Sequence, residues 1–154
     1  MRSTLALGCL ILASLLLIVT GVTYLTRSEF MPYHAVAVGR TWADLEPPTQ
    51  ALVLALLRLA GGGFLSAGLS VLILTAFPLR RGQNWARWAI LLVGLSWCLP
   101  MLSATFLVES RTPAWRPLAA ASGMVVLLVL GTALFRASRA PLDHTVRNRS
   151  GDRG

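Results

Sequence analysis

Four long runs of apolar residues constrain this chain more than any other feature. They predict helices over about residues 4–25, 49–77, 85–108 and 116–136. Each run reaches the roughly 20 residues that a helix needs to cross the hydrocarbon core of a bilayer. Only 13% of the residues are charged, against roughly a quarter in soluble domains. The sequence therefore predicts an all-α fold, an integral membrane four-helix bundle.

The first run follows Arg2 and has to be distinguished from a signal peptide. It is longer than the roughly 7–15 apolar residues of a signal peptide, and it ends near Tyr24, a residue type typical of membrane interfaces. We interpret it as a retained helix. Residues 1–140 then form one four-span membrane domain, and residues 141–154 are predicted to be a polar, disordered cytoplasmic tail.

The arginines predict the orientation of the helices, since cytoplasmic loops carry an excess of basic residues. All basic residues are arginine, and nine fall on one side, four on the other, with Arg58 inside a run. The nine are Arg2, Arg80, Arg81, Arg87, Arg136, Arg139, Arg147, Arg149 and Arg153; the four are Arg27, Arg40, Arg111 and Arg116. We expect a multi-pass protein of the cell inner (plasma) membrane with both termini cytoplasmic. A membrane accounts for the net charge of +8, so we expect membrane lipids as partners and no nucleic acid.

Arg58 is the single charged residue inside an apolar run. Counting about 20 residues from the inner ends of the second and third helices places Arg58 and Glu109 at the same depth, near the outer boundary of the hydrocarbon. We expect these two residues to form an ion pair. Other possible partners are carboxylates of the first outer loop: Glu29, Asp44 and Glu46. A ligand-binding role for Arg58 is the alternative.

Residues 51–57 are all apolar and would protrude beyond the outer boundary, so another segment must cover them. The loop of residues 26–48 is long enough to do so. Its large apolar and aromatic members are Phe30, Met31, Tyr33, Val36, Val38, Trp42 and Leu45. Thr41 is placed to cap a short helical turn that begins at Trp42. We expect this loop to fold over the outer end of the helices, where a ligand could bind.

Six residues near this cap form the candidate ligand or ion-pair site: Arg58, Glu109, Tyr33, His34, Trp42 and Glu46. The spacing of one histidine and a few carboxylates matches no metal-ligand motif, so we predict no metal. No serine, histidine and carboxylate are arranged as in a hydrolase. We predict no catalytic residues, no cofactor and no enzymatic activity.

Small residues on the second helix predict close helix packing. Gly62, Ser66 and Ser70 form a ladder at four-residue spacing, and Gly63 and Ala67 form a second one. On the third helix, Trp97 lies near the middle of the bilayer. We expect its ring to face the other helices, with its N–H hydrogen-bonded.

The stretch Leu57-Arg58-Leu59-Ala60-Gly61-Gly62-Gly63-Phe64-Leu65-Ser66-Ala67-Gly68 resembles the arginine-then-glycine helix of DoxX-like membrane proteins. These are small four-helix bundles, and some members are linked to quinone or thiosulfate oxidation and to membrane redox complexes. The resemblance implies a module that binds a quinone or a lipid under the outer cap.

Three functions are compatible with these features. The first is an accessory or scaffold subunit that binds a partner membrane protein or a second copy of itself. The second is the DoxX-like binding module. The third is a small transporter, although every carboxylate lies at or beyond a helix end, whereas four-helix exporters usually carry one within the membrane.

Overall fold

The computed structural model describes residues 2–113 and 116–137, which contain helices and no strands. The helices are α1 (Arg2–Thr26), α2 (Pro32–Val38), α3 (Pro47–Leu74), α4 (Trp85–Arg111) and α5 (Arg116–Ala137). All but α2 are long and apolar enough to cross a membrane. The predicted all-α fold is therefore confirmed, and the four long helices begin and end within a few residues of the predicted bounds. The tail of residues 141–154 lies outside the described residues.

Proline sets both ends of α3. Pro47 and Pro48 occupy its first two positions, where the missing N–H of proline costs nothing. Pro78 lies in the π-helical turn Thr75–Leu79 that follows α3, since proline cannot continue regular α-helical hydrogen bonding. Gly82 then adopts a φ of 88°, a conformation that glycine adopts easily, and the chain turns back into α4.

Glycines bring the backbones of α1 and α3 into contact. A methyl group added at Gly21 would lie 2.6 Å from the backbone nitrogen of Leu65, and one at Gly61 would lie 2.9 Å from the carbonyl oxygen of Gly21. One at Gly68 would lie 2.9 Å from the backbone nitrogen of Ile18. No side chain larger than hydrogen fits at these positions without moving a helix, so Gly21, Gly61 and Gly68 define this interface.

The predicted ladder of Gly62, Ser66 and Ser70 is not part of that interface. A methyl group at Gly62 would meet no atom within 4 Å, and Ser66 is exposed. The prediction is therefore corrected: α1 packs against the neighbouring face of α3, which carries Gly61 and Gly68.

Trp97 joins α4 to α3. Its ring lies against Gly63, where an added methyl group would overlap it, and it meets the ring of Phe64 edge to face. The expected orientation toward the other helices is therefore confirmed. The expected hydrogen bond is not, because the buried Nε1 of Trp97 has no partner among the described residues.

Candidate functional site

The predicted outer cap, which we define as residues 27–46, folds onto one side of the amino-terminal end of α3. Phe30 and Leu45 are only 6% and 8% exposed, and they pack with Leu57 in a separate small core. This confirms the predicted folded loop. Leu52 and Leu56 remain 60% and 56% exposed, so the cap covers only part of the apolar segment 51–57.

A local hydrogen-bond network shapes the second half of the cap. The predicted helical turn is present as a 3₁₀ helix over Trp42–Asp44. The Asp44 carboxylate accepts the N–H of Thr41 at 3.0 Å and its hydroxyl at 2.6 Å, and these bonds lower the pKa of Asp44. Gln50 of α3 donates its side-chain N–H to the Trp42 carbonyl at 2.9 Å. The turn is thereby fixed to the start of α3.

Aromatic rings connect the cap to the middle of the four long helices. Neighbouring rings meet edge to face, with interplanar angles between 71° and 86°. The succession is Trp42–Phe30, Phe30–His34, His34–Tyr24, Tyr24–Phe64 and Phe64–Trp97, with centroid distances of 5.2, 6.4, 6.4, 5.7 and 5.6 Å. The ring of Tyr33 lies 4.3 Å from that of His34. Edge-to-face pairs of this kind each stabilise a fold by roughly 0.5–1.5 kcal/mol beyond burial.

Two cavities flank this row of rings. One, of about 350 Å³, lies between the end of α1, the cap, α3 and α4, and the other, of about 400 Å³, lies beneath the cap. They share the lining residues Tyr24, His34, Ala60 and Val108. Each volume falls within the roughly 300–1,000 Å³ of small-molecule sites. The cap and the helices thus enclose enough space for an apolar ligand.

The polar groups in these walls include two hydrogen-bond donors. The Met31 N–H donates to Nδ1 of His34 at 3.3 Å, which places the proton of the neutral ring on Nε2. The Tyr24 and Tyr33 hydroxyls bond to each other, so one of the two O–H groups remains free to donate. No charged residue lines either cavity in the described part of the chain. The site therefore suits an uncharged ligand that carries an acceptor oxygen.

Burial fixes the protonation states of the two cap residues with polar side chains that line a cavity, Tyr33 and His34. It lowers the pKa of His34 and, together with the bond to Tyr24, raises the pKa of Tyr33. His34 is therefore neutral and Tyr33 remains a phenol at neutral pH.

We expect the cap to lose stability on acidification. The pKa of His34 in the folded cap lies below the usual value of about 6.5, so the unfolded cap binds more protons once the pH falls below that value. Stability is complete above about pH 6.5 and declines as the pH falls toward the lowered pKa. Amide hydrogen exchange of residues 33–38, corrected for intrinsic rates at pH 5 and pH 7.5, measures this change. His34→Gln should remove the pH dependence; an unchanged dependence in that variant would assign it to another group.

The structure separates the other predicted site residues from the cavities. Glu109 accepts the N–H of Leu118 at 2.9 Å and so caps the start of α5, where a carboxylate is favoured. Arg58 is exposed and forms no ion pair with Glu109 in the described ranges. At 100° per residue, Arg58 lies about 140–160° around α3 from Ala60 and Gly63, which face α4. The predicted ion pair is corrected for this reason, and Glu46 is likewise exposed outside both cavities.

Of the six predicted site residues, only Tyr33 and His34 line a cavity. Trp42 lies outside both cavities, and its ring packs on Phe30, which in turn packs on His34. The sequence interpretation missed Tyr24, Phe64 and Trp97. Tyr24 and Trp97 carried a usable signal, since each is a polar-tipped aromatic residue in an apolar run.

No family model, curated protein or solved structure matches this chain. The resemblance to DoxX-like proteins therefore stays a prediction that rests on one stretch of α3.

Proposed function

We propose that this chain is a multi-pass protein of the cell inner (plasma) membrane, with both termini cytoplasmic, that binds an uncharged quinone or lipid under its outer cap. The observation that carries the proposal is the pair of adjoining apolar cavities, whose walls offer the His34 Nε2–H and one tyrosine O–H as donors. Quinones and lipid esters share the required chemistry, an apolar body with carbonyl oxygens. The absence of charged lining residues in the described chain favours such a ligand over an ionic substrate.

Filling the first cavity tests this proposal. Ala104 lines that cavity and is exposed, whereas Ala120 is equally exposed on α5 and lines neither cavity. We expect Ala104→Phe to weaken saturable quenching of tryptophan fluorescence by decylubiquinone about tenfold, roughly the 1.4 kcal/mol of one decade in affinity, while Ala120→Phe leaves it unchanged. Equal quenching of the two variants would place quinone binding elsewhere.

Native mass spectrometry of the same samples reports retained lipids and distinguishes a lipid ligand from a quinone. His34→Phe removes the Nε2–H donor and should weaken binding by about the worth of one hydrogen bond, ~1 kcal/mol. Arg58→Ala serves as a charge control, since Arg58 lines neither cavity, and it should leave the bound ligand in place.

The ladder of Gly62, Ser66 and Ser70 on α3, which does not pack against α1, favours a second candidate function, the accessory or scaffold subunit. Gly62 and Ser66 leave open space on a face that also exposes Leu59, Leu69 and Ile73. A partner helix or a second copy of this chain would approach closely there. The copy number in the native mass spectra discriminates the two functions: a dimer without bound ligand favours the scaffold. The transporter gains no support from the positions of the carboxylates. Those of the described residues, Glu29, Asp44, Glu46 and Glu109, all lie in the cap or at the cap end of the long helices.

A further inference from the structure

A groove lies between α4 and α5 at the end of the helices opposite the cap. Its volume is about 320 Å³. The residues that line it are Arg87, Trp88, Leu91, Leu95, Val129, Thr132 and Ala133. The Thr132 hydroxyl donates to carbonyls of its own helix at 2.9 Å. The groove is therefore apolar along its length, with the Arg87 cation at one end.

The charge of Arg87 has no protein counter-ion near it among the described residues. Its Nε is buried and lacks a hydrogen-bond partner there, and its guanidinium carbon lies 5.3 Å from the ring centroid of Trp88. Arg80 and Arg81 are exposed at the same end. The described carboxylates lie at the opposite end, so this end carries an uncompensated positive charge.

We infer that this groove binds an anionic phospholipid, with the phosphate on Arg87 and an acyl chain along the helices. Arg87 is the third residue of α4, at the level where a spanning helix meets lipid head groups. Leu91 and Leu95 follow one and two turns deeper, roughly 6 and 12 Å along the helix, where an acyl chain runs. The guanidinium group matches phosphate oxygens in a bidentate manner, and basic pockets between helices at the cytoplasmic side favour anionic head groups.

This site does not depend on the proposed function. It is formed by the first three turns of α4 and by one face of α5, and it shares no lining residue with the two cavities near the cap. Failure of quinone or lipid binding under the cap would leave it intact, and the reverse also holds.

Native mass spectrometry of the full chain tests the inference, with equal amounts of dioleoyl phosphatidylglycerol and dioleoyl phosphatidylcholine added in mild detergent. We expect the wild type to retain phosphatidylglycerol in at least about fivefold preference, the scale of one arginine near an anionic surface. Arg87→Gln should abolish that preference, whereas Arg81→Gln, with the same loss of charge at an exposed position outside the groove, should keep it. Equal losses in both variants would overturn the site in favour of diffuse charge attraction.

A second pair of variants tests the acyl-chain part and does not alter any charge. Val129→Trp fills the groove, whereas Leu130→Trp places the same side chain on the neighbouring exposed face. We expect only Val129→Trp to reduce retained phosphatidylglycerol, by about fivefold, which corresponds to ~1 kcal/mol. Retention by Val129→Trp equal to that of the wild type would contradict a lipid site. Displacement of the lipid by inorganic phosphate alone would contradict it as well.

Discussion

Replacing Gly21 with valine should force α1 away from α3 and lower the free energy of unfolding by about 3 kcal/mol, the upper range for overpacking a filled core. The reason is that a methyl group at this position would already lie 2.6 Å from the backbone nitrogen of Leu65 and 2.9 Å from the carbonyl oxygen of Gly61. Backbone atoms cannot rotate out of the way as a flexible side chain does. The two helices must therefore separate along their shared face.

Gly8→Val is the matched control for this prediction. Gly8 lies in the same helix, and an added methyl group there would meet no atom within 4 Å. The intrinsic change in helix propensity is the same at both positions. Thermal unfolding in mild detergent, followed by circular dichroism, should therefore separate the two variants. A similar midpoint for both would mean that α1 and α3 do not touch at Gly21.

Replacing Phe30 with alanine should release the outer cap. Phe30 is 6% exposed and packs on Leu45, Leu57, Trp42 and His34, and truncation of a buried phenylalanine costs about 3–5 kcal/mol. A loss of ~3 kcal/mol raises the open population about a hundredfold. Trypsin cuts after arginine, so cleavage within the cap reports this opening where cleavage is slow relative to closing.

Trypsin has two sites in the cap, after Arg27 and Arg40, both exposed. Val38→Ala is the control, since Val38 belongs to the same short helix as His34 but is 55% exposed. We expect Phe30→Ala to be cut much faster than the wild type and Val38→Ala to be cut at the wild-type rate. Identical rates for the two variants would mean that Phe30 does not hold the cap in place.

Hydropathy and length predicted the four long helices, because a run of about 20 apolar residues has few alternatives to a spanning helix. The apolar segment 51–57 likewise required the cap, and the structure provides it. The packing face of α3 was not predictable in the same way. Small residues occupy 60–63 and 66–68, which supplies several four-residue ladders, and the choice between them depends on Gly21 of another helix.

The candidate site shows the same limit. Tyr33 and His34 were assigned from their place in the loop, and both line a cavity. The pairing of Arg58 with Glu109 rested on equal depth along the bilayer normal. Depth does not specify the direction around the helix, and Glu109 instead caps the next helix along the chain.

The contacts of α1 also bear on how the chain is assembled during synthesis. Its glycine face packs on α3, and its opposite end near Leu10 receives Gly131 of α5. The first contact joins two long helices that only the cap separates in the chain, so it can form before α4 and α5 are synthesised. The second must wait for the last helix. The pair of α1 and α3 can thus form before the contact between α1 and α5.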